Sequence, residues 1–144
     1  MTEFGPPEQV YVENEWYDGP RAGVASIDGK PHRFVSQFDE QEDEYGATFL
    51  VWPIPAAELS LEQEQWKIFV SWNDDYEAGR VGVEKHPGNP GTNERWDEIN
   101  SVLKTSRESI PSGARRAKAE MTFTESDRRY TPSGPSYHLS WRLL

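Results

Sequence analysis

Between Ser60 and Asn73 the chain places Leu61, Trp66, Ile68, Phe69, Val70 and Trp72, its most aromatic continuous stretch. At about 100° per residue, Leu61, Ile68, Phe69, Trp72 and Tyr76 fall on one stripe of a helix, with Trp66 and Val70 displaced to one side. An arc that wide has to be covered, so the helix is expected to lie across a sheet. Ser60 followed by Gln63 has the form of a capping box, and Pro53 and Pro55 keep the preceding chain extended, which predicts a helix start at Ser60. Asp74 and Asp75 then oppose the helix dipole, so the helix either stops near Asn73 or keeps these carboxylates for another reason. Gly79 is suited to a left-handed stop.

Strand signals lie on both sides of this helix. Val10, Val12 and Trp16 alternate with Tyr11, Glu13, Glu15 and Tyr17, which predicts one buried face and one rich in carboxylates. Residues 23–27 are followed by Asp28-Gly29, a pair that favours a type I′ turn, and the chain should return antiparallel from Lys30 to Phe38. A two-residue turn puts Ile27 opposite Lys30, Ala25 opposite His32 and Gly23 opposite Phe34, small residues making room for an aromatic one. Pro31 removes a backbone donor and suggests an edge position. Residues 39–44 read as a solvated acidic loop, and Ala47 to Trp52 as a strand covered on both faces.

Residues 80–91 suggest a short strand and then a rigid loop. A second helix is expected from Thr92 or Asn93, with Trp96, Ile99 and Leu103 at helical spacing, ended by Pro111-Ser-Gly113. In the tail, Ala117, Ala119, Met121 and Phe123 alternate with polar residues, as do Tyr137, Leu139, Trp141 and Leu143. Two antiparallel strands with one wet face follow, joined by a connection longer than a hairpin turn needs. The pattern predicts a single α+β domain over residues 1–144, with an antiparallel or mixed sheet of about five to six strands and two α-helices packed on one face. Residues 1–8, broken by Gly5-Pro6-Pro7, read as a loose arm.

Charge narrows the partners. Residues 1–65 hold three basic residues against fourteen acidic ones, whereas residues 66–144 hold twelve against eleven, within a formal net charge of −10. Such a field opposes binding to nucleic acid or an anionic membrane and favours a basic protein partner; its plainer role is solubility. A local basic stripe of Arg116, Lys118, His138 and Arg142 on the tail's outer face could hold an anion, an acidic partner or a second copy's acidic half, and is otherwise an ordinary polar sheet face. Cysteine is absent, which excludes disulfides and thiolate metal sites. The first residues have neither the basic flank nor the apolar run of a secretion signal, so a cytoplasmic location is expected.

Recognisable chemistry is sparse. His32, His86 and His138 share no metal-ligand spacing, and no nucleophile elbow, dinucleotide fingerprint or P-loop occurs, so neither a metal nor a cofactor is expected. The carboxylate pairs Glu13/Glu15, Asp39/Glu40 and Asp74/Asp75 read as solvated surface. Tyr17-Asp18-Gly19-Pro20-Arg21 has the look of a functional loop, because Arg21 could grip a carboxylate or phosphate with Asp18 positioning it. Its plainer reading is a β-turn in which Asp18 caps the backbone and Arg21 pairs with nearby glutamates. Three functions stay open. The first is an interaction or inhibitor-like module, a monomer or weak homodimer, whose acidic half meets a basic partner. The second is a small enzyme or ligand-binding protein with Asp18, Arg21 and His86 around an aromatic pocket made partly by Trp66 and Trp72. The third is an assembly protein pairing through its tail strands.

Overall fold

The computed structural model describes residues 3–39 and 44–144. The chain runs β1 (Glu8–Trp16), β2 (Pro20–Ile27), β3 (Lys30–Asp39), β4 (Glu44–Pro53), α1 (Ala56–Glu77), α2 (Glu94–Glu108), β5 (Arg115–Phe123), β6 (Tyr130–Thr131), β7 (Gly134–Pro135) and β8 (Tyr137–Leu143), with one 3-10 turn at Val83–Lys85. The mixed α+β composition is as expected. The sheet, however, is closed: β1, β2, β3, β4, β5 and β8 pair antiparallel in that order, and β8 returns to β1 through Glu8↔Leu139 and Gln9↔His138. Closure removes the two edges an open sheet would leave unpaired. Among the described residues no helix is long and apolar enough to cross a membrane.

Inside the barrel Phe34, Phe49 and Trp141 meet in tilted and edge-to-face contacts 5.6 to 5.7 Å apart, joined by Val10, Ala25, Ile27, Val51, Ala117, Tyr137 and Leu139. A second cluster, of Val12, Val24, Trp52 and Ile54 with Trp66 and Val70 of α1, fixes the helix to the barrel wall. β4 is therefore apolar on both sides, with Phe49 and Val51 in the first cluster and Trp52 in the second.

The hairpin of β2 and β3 has the expected register, with Ile27↔Lys30, Ala25↔His32 and Gly23↔Phe34, and Asp28 and Gly29 take φ of 54° and 77°. Pro31, the second residue of β3, lies one residue before the pairing with β4 starts at His32↔Pro53. β1 departs from simple alternation. Its partners shift from Val10↔Ala25 to Val12↔Val24, so a bulge at Tyr11 sends Val10 into the barrel cluster and Val12 into the helix cluster. Trp16, expected on the buried face, is 39 % exposed, and Glu13 is the buried member of its pair.

α1 starts at Ala56, not Ser60. The amides of Glu58 and Leu59 both donate to the Pro55 carbonyl, and two alanines, the best helix formers, extend the helix back to the proline. Ser60 and Gln63 thus lie within the helix and cap nothing. Its buried residues are Glu62, Gln65, Trp66 and Val70, while Tyr76 is exposed, so the helix is rotated away from the expected stripe. It continues to Glu77 because Asp74 pairs with Arg128 and Asp75 with Arg80, and Gly79 then takes φ 75°.

Residues 80–91 contain the 3-10 turn and no strand. α2 starts as expected, with the Asn93 side chain accepting from the Trp96 amide at 2.9 Å. In the tail Ala117, Tyr137, Leu139 and Trp141 are buried, but Met121 and Phe123 are exposed where β5 has passed its pairing with β4. At the start of the chain, the Gly5 amide donates to the Trp141 carbonyl at 2.9 Å and Arg142 lies over the Phe4 ring, which holds that part of the arm against β8. The acidic loop falls partly outside the described residues.

Gly23 is where the barrel tolerates no side chain. A Cβ there would sit 2.2 Å from the Val12 carbonyl oxygen and 2.9 Å from Phe34 Cζ. Gly23→Ala is expected to lower the unfolding free energy by about 1–3 kcal/mol, read as a fall in the urea midpoint. Gly113→Ala, with open space around it, should leave the midpoint unchanged.

Candidate functional site

The buried side of α1 carries a carboxylate, and two arginines meet it. Glu62 is fully buried and receives Arg33 Nη1 from β3 at 2.7 Å and a two-pronged contact from Arg107 of α2, whose Nε lies 3.0 Å from Oε2. Arg33 also reaches Glu58, one turn earlier, at 2.8 Å. Arg107 donates further to the Gln65 side-chain oxygen at 2.7 Å and to Asn100 Oδ1 at 3.0 Å, and Gln65 donates to the same Asn100 oxygen at 2.7 Å. Burial acts to raise the Glu62 pKa, but the hydrogen bond and charge of Arg107 and those of Arg33 together outweigh it and hold the carboxyl below its ordinary value.

A second charged group lies at the end of the barrel. Arg129, just before β6, stacks over Trp16 and Tyr130 with 4.6 Å to each centroid, and Tyr137 lies at 5.5 Å. Its Nη2 pairs with Glu13 Oε1 at 2.7 Å, and the Tyr137 hydroxyl donates to the same oxygen at 2.9 Å. Burial, then the charge of Glu13, pushes the Tyr137 hydroxyl pKa well up, and the same two causes raise that of Tyr130.

Between these two groups is a cavity of about 540 Å³. β1 supplies one wall, from Val12 to Trp16. α1 supplies Gln65, Trp66 and Phe69, α2 supplies Trp96, Asn100 and Arg107, and His86 and Tyr130 complete the lining. Trp66 is held by its indole N–H, which donates to the Thr131 carbonyl at 2.7 Å, and it meets Tyr130 edge to face at 5.6 Å. The tautomer of His86 is fixed: the Gly88 amide donates to Nδ1 at 2.8 Å, so the neutral ring carries its proton on Nε2 and offers a donor.

The residues expected from sequence to form a site divide into two sets. Trp66 and His86 line the cavity together. Trp72 backs His86 at 4.5 Å and stacks on Tyr76, and it lines a neighbouring depression of about 630 Å³. Asp18 and Arg21 are not in the lining. Arg21 donates to the carbonyls of Tyr17 at 2.7 Å and Asp18 at 3.0 Å, clasping its own turn. Glu13, Gln65, Trp96, Asn100 and Arg107 escaped sequence reasoning as a group. One signal for the network was present: Glu58 and Glu62 share a helix face at i, i+4, and Arg33 is one of three basic residues in the first 65.

The lining holds no Ser, Thr or Cys nucleophile, and its two carboxylates, Glu13 and Glu15, come from one strand and do not oppose each other across the cleft. Among the described residues no group of three or more His, Asp or Glu could hold a metal ion. Comparison of the chain with protein-family models, curated proteins and solved structures finds no match.

The Glu62 pair has a direct consequence for stability. A carboxyl with a lowered folded pKa stabilises the fold above its ordinary value of 4.5, and that contribution fades as pH falls through the lowered value. Glu62→Gln is expected to cost about 3–5 kcal/mol at neutral pH, because two arginines lose their shared counter-charge, and to flatten the acid side of the stability profile. Urea midpoints measured from pH 7 to pH 3 check both.

Proposed function

We propose that this protein binds a small organic molecule in the cavity between β1, α1 and α2. The observation that carries the reading is the lining itself: five rings, Trp16, Trp66, Phe69, Trp96 and Tyr130, converge with a few polar groups on about 540 Å³, the size and character of a small-molecule site. Polar capacity is left over for a guest. Among the described residues, the Asn100 side-chain N–H₂, Asn14 Oδ1 and His86 Nε2 have no protein partner. The Arg107 network holds α2 against α1 and so fixes the width of the cleft.

Trp96 tests this reading, since it lines the cavity and is only half-buried. Native mass spectrometry of protein purified gently from its own host is expected to reveal a small-molecule adduct that Trp96→Ala loses, with the variant's melting temperature within a few degrees of the parent. An adduct retained in full by the variant would refute the cavity as its site.

A second reading, recognition of a basic protein, is supported by the β1–β2 turn. Trp16 is 39 % and Tyr17 68 % exposed there, next to Glu15 and Asp18, on the acidic half of the chain. Aromatic side chains ringed by carboxylates are suited to anchor a cationic surface. Here the double variant Glu15→Lys, Asp18→Lys is expected to abolish salt-sensitive capture of a basic partner from host extract. Pairing between copies through the tail strands has less support, because β5 and β8 each already have a neighbour on both sides.

A further inference from the structure

Resting on the small-molecule reading, we propose that the guest is an organic cation: an ammonium or guanidinium on an apolar body, its charge against the β1 wall beside Glu15 and its body among Trp66, Phe69 and Trp96. Three features of the cavity point there.

The first is the state of the positive charges. Arg107 is the one arginine or lysine in the lining, and its Nε, Nη1 and Nη2 all donate to Glu62, Asn100 or Gln65. Arg129, at the edge of the site, is committed to Glu13. Both guanidiniums are already paired with a carboxylate, so an anionic guest would have to compete with Glu62 or Glu13 for its counter-charge. Negative charge is in the opposite state. Glu15 lines the cavity, is exposed, and makes no ion pair or hydrogen bond among the described residues, and Asn14 Oδ1 is a second unpartnered acceptor in the lining.

The second feature is the ring system. Aromatic faces carry negative potential and attract cations most strongly where water is excluded, and five rings line this space, two of them, Trp16 and Tyr130, with Arg129 already over a face. The third is that the protein already demonstrates the recognition. Arg129 lies over Trp16 and Tyr130, both lining residues, and beside a β1 carboxylate; its Nη1 is buried with no hydrogen-bond partner, so ring faces take the place of an acceptor. Glu15 lies in the same cavity lining beyond a further register shift in β1, and a guest cation there would meet a carboxylate and ring faces, the two kinds of group that hold Arg129. The net charge of −10 steers a cation toward the protein in either case.

The test is a matched set of three probes with one shape and different ends: phenethylammonium, 2-phenylethanol and phenylacetate, titrated at pH 7 and low salt with tryptophan emission and calorimetry as readouts. The ammonium is expected to bind about tenfold or more tighter than the alcohol, with phenylacetate weakest. Glu15→Gln should shrink the preference of ammonium over alcohol while leaving the alcohol's affinity unchanged. If the alcohol or phenylacetate binds as tightly as the ammonium, or if Glu15→Gln leaves the preference intact, the cation assignment is overturned and the cavity reading survives. If none of the three binds at millimolar concentration, the cation assignment falls, and the adduct comparison with Trp96→Ala decides the cavity reading.

Discussion

A carboxylate removed from water has to be met by opposite charge and by enough donors to replace its hydration, and Glu62 meets that requirement with groups from two other elements. Arg33 comes up from the barrel wall and Arg107 comes across from α2, so one buried side chain on α1 ties three layers together. The Coulombic gain of such a cluster is largely cancelled by desolvation, which makes it a weak source of net stability but a strong source of specificity. A rotation of α1 by one residue, or a slide of α2 by one turn, would leave a charge buried without its partner. The orientation of both helices, and with it the width of the cleft between them, depends on this contact.

Apolar packing does the complementary work of holding elements in place without choosing between orientations. The barrel closes on its own core of Phe34, Phe49 and Trp141, and α1 rests on a separate cluster outside the wall. The bulge at Tyr11 connects the two, because it lets one strand deliver Val10 inward and Val12 outward. Past the bulge, Glu13 turns toward Tyr137 and Arg129, and the strand's last residues become a cavity wall. The candidate site is thus placed by a local irregularity in β1.

The cavity exists because α2 meets α1 mainly through polar side chains. Gln65, Asn100 and Arg107 bridge the helices, and Glu64 pairs with Arg95 at the surface, while only Ile99 and Leu103 of α2 are buried. Hydrogen-bonded side chains span a gap that interdigitated leucines would have filled. The faces of Trp66, Phe69 and Trp96 are left bordering that gap, with His86 held by its own loop at the rim.

Short-range chemistry was legible in the sequence. Asp28-Gly29 set both a turn and a register, because positive φ at two adjacent positions admits few residues and the side-chain period of a strand carries the consequence along β2 and β3. Asn93 marked the start of α2, and alternation located β5 and β8 and the inward residues of β8, although of those expected in β5 only Ala117 is buried and Met121 and Phe123 are exposed. What tertiary structure alone decided was every question that depends on a partner distant in the chain. Whether the sheet stays open or closes turns on two residue pairs between β1 and β8. Which side of α1 is buried turns on Arg33, about thirty residues earlier, since a hydrophobic stripe counts Glu62 as solvent-facing until an arginine stands opposite it. The cavity brings together β1, α1, α2 and the segment at Tyr130, and no spacing along the chain encodes a space whose walls are that far apart in sequence.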